Sequence, residues 1–216
     1  MPTTYAIPNG ATAFAATTYT GNGGTQSVSN AVNSISFQPD LVWIKNRNAS
    51  AGTNHAWYDS VRGVKNQLVS NSTGAEVAYA TQGVTAFNSG GMTVVDNANG
   101  DYSVNGSGGT YGGTYVAWQW QAGQGTTSSN TSGSITSTVS VNATAGFSIV
   151  TYTGTSTNAT VGHGLGVAPS FIIAKARGTP NGSARSWFVY HTSLGASAFI
   201  YLDLTNIAVT EIGRAH

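Results

Sequence analysis

An all-β chain is predicted, built of tandem antiparallel β-sandwich modules with the second one truncated. Three observations predict it. Apolar residues alternate or form short runs, with almost no helical period. Clusters of Gly and Asn, which accept turn conformations cheaply, separate those runs. One ordered set of motifs also occurs twice. Thr17-Thr18-Tyr19-Thr20-Gly21 returns as Val150-Thr151-Tyr152-Thr153-Gly154, an offset of 133 (Tyr19 to Tyr152). Phe37-Gln38-Pro39-Asp40-Leu41-Val42-Trp43-Ile44-Lys45-Asn46-Arg47 returns as Val167-Ala168-Pro169-Ser170-Phe171-Ile172-Ile173-Ala174-Lys175-Ala176-Arg177, an offset of 130 (Pro39 to Pro169). Tyr58-Asp59-Ser60-Val61-Arg62-Gly63 answers to Tyr190-His191-Thr192-Ser193-Leu194-Gly195, an offset of 132 (Tyr58 to Tyr190). Drifts of a few residues fit loop indels, so residues 1–122 read as one module and 134–210 as its partial copy.

Along the chain, Val32, Ile35 and Phe37 open a first strand that Pro39-Asp40 interrupts. Leu41-Val42-Trp43-Ile44 follows, apolar on both faces, as suits a strand covered on both sides. Phe171-Ile172-Ile173-Ala174 has the same character. In Tyr115-Val116-Ala117-Trp118-Gln119-Trp120-Gln121 the residues Val116, Trp118 and Trp120 share one face, expected to be core, and Ala117, Gln119 and Gln121 the face toward water. Turns are expected at Asn22-Gly23-Gly24, Asn88-Ser89-Gly90-Gly91 and Thr179-Pro180-Asn181-Gly182. Short strands spaced by such turns indicate a sandwich or jelly roll. Residues 123–133 carry no apolar side chain and read as a polar linker. The second copy has no counterpart of the segment from Val84 to Gln121, which predicts an unpaired edge and an uncovered core face. Residues 211–216 read as a non-native tail, with an ordinary charged end as the alternative.

Composition narrows the partners. Charged residues are 7% of the 216, against about 25% in ordinary soluble proteins, so solubility rests on Ser, Thr, Asn, Gln and Gly. A net charge of +1 with scattered basic residues offers no stripe for phosphate, and nucleic acid is not an expected partner. No run approaches the ~18 apolar residues that cross a bilayer, and residues 1–10 lack the features of a signal peptide. Neither membrane insertion nor export on its own signal is expected. With no cysteine, disulfides and thiolate chemistry are absent.

Chemistry is sparse. Asp40, Asp59, Glu76, Asp96, Asp101, Asp203 and Glu211 are the carboxylates, and no strand carries two on one face, as glycoside hydrolysis would need. His55, His163, His191 and His216 have no metal-ligand spacing, so no cofactor and no catalytic residue is expected. Asp96, Asn99 and Asp101 supply oxygen donors of the kind calcium takes, but Ala98 stands where a further donor belongs. Trp57, Tyr58, Asp59 and Arg62 place aromatics, a carboxylate and a guanidinium beside a loop, a clustering typical of ligand-binding surfaces. The competing reading is an Asp59–Arg62 ion pair that pins the loop, and it belongs to the first copy only, since His191 and Leu194 replace the pair.

Tyr5-Ala6-Ile7-Pro8-Asn9-Gly10, the Phe37 to Lys45 run, Asp59-Ser60-Val61-Arg62-Gly63, Gly113-Thr114-Tyr115-Val116-Ala117-Trp118, Gly146-Phe147-Ser148-Ile149-Val150 and Gly162-His163-Gly164-Leu165-Gly166-Val167-Ala168-Pro169 resemble a repeat family of structural proteins from uncultured tailed bacteriophages. The resemblance implies concanavalin-like or laminin-G-like jelly-roll modules and a tail-fibre-like place in the virion. The partners it implies are other virion proteins and a host-surface glycan or receptor, with a homo-oligomer also expected. It transfers no site residue. Alternatives are a bacterial surface adhesin or carbohydrate-binding module, and a polysaccharide depolymerase.

Overall fold

The structure is a computed structural model that describes residues 9–48, 52–96, 100, 103–108, 110 and 112–210. Its first half holds the strands Phe14–Thr20 (β1), Thr25–Ser29 (β2), Leu41–Asn46 (β3), Ala56–Asp59 (β4), Asn66–Val69 (β5), Val77–Ala78 (β6), Gly83–Asn88 (β7), Gly91–Val95 (β8) and Thr114–Trp120 (β9). They form a six-stranded sheet in the order β1-β9-β3-β4-β5-β6 and a three-stranded sheet in the order β2-β8-β7. Between these two layers lies the core: Val42, Ile44, Ala56, Tyr58, Tyr115 and Ala117 from the first meet Val28, Val84, Met92 and Val94 from the second, with Val104 from the connecting loop. The all-β expectation holds, and the pairings between the described strands are antiparallel, with an isolated parallel bridge between Ile135 and Val161.

Close packing explains why Gly83 stands at the start of β7. Its φ is +87°, a conformation costly for other residues, and an added Cβ would sit 2.4 Å from the buried Tyr58 hydroxyl. That hydroxyl accepts a hydrogen bond from Gln67 Nε2 at 2.9 Å. Burial pushes the Tyr58 phenol far above its ordinary range, so it stays a neutral hydrogen-bonding group inside the layers.

Two local expectations need correction. Val32 and Ile35 do not open a long strand: they exchange backbone hydrogen bonds of 2.8 and 2.9 Å across a tight turn at Asn33 and Ser34, both with positive φ. Such two-residue turns favour Asn, and that local preference overrides the alternation. The faces of β9 are also inverted. Tyr115, Ala117 and Gln119 point into the core, whereas Trp118 and Trp120 are half-buried on the opposite face. Gln119 can enter because its amide is engaged by Thr17 Oγ1 at 3.2 Å and by Asn30 Nδ2 at 3.4 Å.

The second half comprises Ser128–Asn130 (β10), Ser137–Asn142 (β11), Phe147–Tyr152 (β12), Phe171–Ala174 (β13), Phe188–His191 (β14), Ala198–Tyr201 (β15) and Val209–Thr210 (β16). They form sheets ordered β10-β11-β12 and β13-β14-β15-β16. The second meander repeats the registers of β3 to β6. Leu41 faces Asp59 and Phe171 faces His191; Ala56 faces Val69 and Phe188 faces Tyr201; Asn66 faces Ala78 and Ala198 faces Thr210. Individual hydrogen bonds recur as well. Lys45 Nζ donates to Thr53 O at 2.9 Å and Lys175 Nζ to Arg185 O at 2.7 Å. His55 N–H donates to Asn71 Oδ1 at 2.8 Å and Trp187 N–H to Asp203 Oδ1 at 3.0 Å.

Residues 123–133, expected as a polar linker, are held in place instead. Asp40 is fully buried and accepts from the backbone N–H groups of Ala122, Gln124 and Gly125, each at 2.7 Å, and from Ser60 Oγ at 2.7 Å. Residues Ser128–Asn130 then pair with β11. Polarity suggested a free tether, but its backbone donors converge on a carboxylate far away in sequence.

Candidate functional site

Strand alternation sets what each face of the six-stranded sheet displays. With Val42, Ile44, Tyr58 and Tyr115 turned inward, Trp43, Trp57 and Trp118 must turn outward, and the registers place Trp43 directly opposite both Trp57 and Trp118. Their rings form a row: Trp118 to Trp43 at 5.6 Å, Trp43 to Trp57 at 5.4 Å, and Trp57 to Trp187 of β14's approach at 5.2 Å, all tilted by 50–57°. Spacings of this kind favour aromatic pairs beyond their buried area. At the sheet edge Trp120 packs on Phe14 at 5.1 Å and lies parallel to Phe147 at 6.3 Å. Trp43, Trp57, Trp118 and Trp120 are half-buried, Trp187 is buried, and the indole Nε1 of Trp43 is enclosed without a hydrogen-bond partner.

The predicted cluster of Trp57, Tyr58, Asp59 and Arg62 is not one surface. Trp57 sits in the row, Tyr58 in the core, and Asp59 and the Arg62 side chain are buried. Arg62 Nε pairs with Asp59 Oδ2, Nη1 with Glu76 Oε2 at 2.7 Å and with Asn66 O at 3.0 Å, and Nη2 with Trp57 O at 3.2 Å. The guanidinium is thus committed to pinning the loop, which favours the ion-pair reading over a binding role. Arg177 extends the network from the second half, with Nη2 on Glu76 Oε1 at 2.7 Å. Burial alone would raise the Glu76 carboxyl, but hydrogen bonds from Arg177 and Arg62 outweigh it and hold the group below the usual carboxylate range.

Of the calcium candidates, Asn99 and Asp101 lie outside the described residues. Asp96 accepts from Ser103 Oγ at 3.1 Å and borders an open depression of about 300 Å³ with Gly100, Ser103 and Gly106. No group of three or more His, Asp or Glu poised to hold a metal occurs among the described residues. A larger depression of about 500 Å³ is lined by Asn130, Val161, His163, Gly164, Val167 and Ala168. No described helix is long and apolar enough to cross a membrane.

Sequence reasoning missed Asp40, Trp43, Glu76 and Trp187 as organising residues. Trp187 is buried, and its indole Nε1 donates to Val69 O at 2.9 Å and Ser72 O at 3.2 Å, across the two halves. Only the pairing register, which aligns Trp43 with Trp57 and Trp118, reveals the row.

No curated protein and no solved structure matches the chain. A family described only as a domain of unknown function, DUF7483, matches residues 9–215, and so the two meanders, the aromatic row and the strands between them belong to a member of that family.

Proposed function

We propose that this chain is a non-enzymatic virion component of a tailed bacteriophage, tail-fibre-like, which contacts glycans of the host surface through its row of tryptophans. The observation that carries this reading is the row itself: Trp118, Trp43 and Trp57 aligned in cross-strand register on a half-open sheet face. Flat aromatic faces beside polar loops are the surface on which sugar rings stack. The virion assignment rests on the sequence resemblance.

Two tandem jelly-roll modules of the concanavalin or laminin-G kind, the second truncated, complete the proposal. Supporting it are the registers of β3 to β6 that recur in β13 to β16 and the hydrogen bonds that recur with them. A non-enzymatic role is supported by the structural use of most of the described carboxylates. Asp40 gathers backbone N–H groups, Asp59 and Glu76 bind arginines, Asp96 accepts from Ser103, and Asp203 accepts from Trp187 N–H through Oδ1 while its Oδ2 is buried without a partner.

The test is a broad glycan array with the purified chain beside its Trp118→Ala variant, whose fold is checked by circular dichroism. Saturable binding is expected that varies little between about 0.05 and 0.5 M salt, since stacking is not a charge effect. At least a tenfold loss is expected for Trp118→Ala. Silence across the array would overturn glycan recognition. Gene neighbours other than terminase, portal or baseplate genes would favour the adhesin or carbohydrate-binding alternative.

A further inference from the structure

The sheet face that carries the tryptophans continues into a cationic end. Strand β3 turns Trp43 and Lys45 to that side, and Arg47, whose N–H donates to Thr114 O at 2.7 Å, extends the same alternation. Ile44 faces Ala56, so His55 follows across from Lys45, and on β9 Val116 and Trp118 lie opposite Lys45 and Trp43. Among the described residues no carboxylate pairs with Lys45, Arg47 or His55. Lys45 Nζ donates to Thr53 O at 2.9 Å and to Thr53 Oγ1 at 3.3 Å, two neutral acceptors for an ammonium with three N–H groups. Burial lowers the pKa of Lys45, and burial together with Lys45 lowers that of His55, as befits cations without a counter-charge. The second half treats the equivalent lysine differently. Lys175 donates to Arg185 O as Lys45 does to Thr53 O, but the negative charge of Asp203 acts on it and offsets part of its burial. Asp203 holds the Trp187 N–H where Asn71 holds that of His55. An amide thus stands in the first half where the second has an acid, and no described residue supplies the charge that would answer Lys45.

We propose that the missing anion is the carboxylate of an acidic sugar, a uronic or sialic acid unit of the glycan that lies along the tryptophans. The proposal rests on the reading of that row as a glycan site. The sugar ring stacks at Trp43 and Trp118, and its carboxylate accepts from Lys45 Nζ, with Arg47 and His55 beside it. A carboxylate is indicated, rather than a sulfate or phosphate, because that is the group the second half sets near Lys175. A charge-assisted hydrogen bond in a half-buried place is stronger than one in open water, so the acid is selected over its neutral form.

The probes are glycans bearing glucuronic or sialic acid, each printed beside the same glycan with its carboxyl reduced to the alcohol and offered to the purified chain. Binding of the acid form at least about fivefold tighter is expected, near the upper end for a partly exposed ion pair. Lys45→Met should bind the two forms alike, and Lys45→Arg, which keeps the charge, should retain most of the preference. Lys65→Met removes a lysine that donates to Ala80 O instead, and should behave as the native chain. Circular dichroism checks the fold of each variant. Raising salt from about 0.05 to 0.5 M should weaken the preference by no more than about half, since Lys45 is half-buried, and should leave the reduced glycan's binding unchanged. Equal binding of the two forms, a preference that survives Lys45→Met, or a stronger preference for sulfated glycans would each overturn the acidic-sugar site. Binding of the reduced glycans that still depends on Trp118 would then leave the glycan role of the row standing, whereas silence with every glycan would remove both.

Discussion

Glu76 shows how few charges this chain uses and how much each one does. It receives Arg62 from its own half and Arg177 from the other, and its backbone N–H donates to Arg177 O at 2.7 Å. Because its folded pKa is depressed, the stabilisation is present above the unfolded carboxyl range, about 4.3, and is lost as pH falls through the lower folded value. Urea midpoints measured from pH 6 to pH 3 should therefore fall more steeply for the native chain than for Glu76→Gln, which has no carboxyl to protonate. Parallel acid limbs in the two proteins would refute this role. In the sequence, Glu76 is an isolated acid just before the short strand Val77–Ala78, and neither arginine is close enough along the chain to identify it as their partner.

Among the elements, β9 teaches that alternation defines two faces without saying which one meets the core. Hydrophobicity assigns Trp118 and Trp120 inward, yet the layer of β2, β8 and β7 covers the face of Tyr115, Ala117 and Gln119. The outward tryptophans are covered in part by the second half. There, Trp187 on the approach to β14 packs on Trp57 and reaches the carbonyls of Val69 and Ser72. Trp187→Ala is expected to cost about 3–5 kcal/mol, the range for removing a large buried aromatic. Trp187→Phe keeps a ring and loses the indole donor, and should cost about 1–2 kcal/mol. Urea denaturation distinguishes these values, and losses below about 0.5 kcal/mol in both variants would show that the ring does not hold the halves together.

The whole molecule is joined through Asp40, whose carboxylate collects donors from Ser60 on one side and from Ala122, Gln124 and Gly125 on the other. Asp40→Asn would turn an amide N–H₂ toward some of those N–H groups and remove the charge that strengthens the rest. A loss of about 2–4 kcal/mol is expected, by analogy with hydrogen bonds to charged groups. Limited proteolysis should then cut within residues 123–127, where the native chain is expected to resist, and equal resistance of the two proteins would refute the anchoring role. The sequence by itself determined that the chain is all-β and where its main turns fall, because alternation and Gly and Asn content are local signals. Only the tertiary structure decided that Trp118 and Trp120 face away from the core, that Arg62 is locked rather than offered to a ligand, and that the polar stretch after Ala122 is anchored. Each of these depends on a partner more than a dozen residues away or on which layer covers a face, and a pattern read along one strand contains neither.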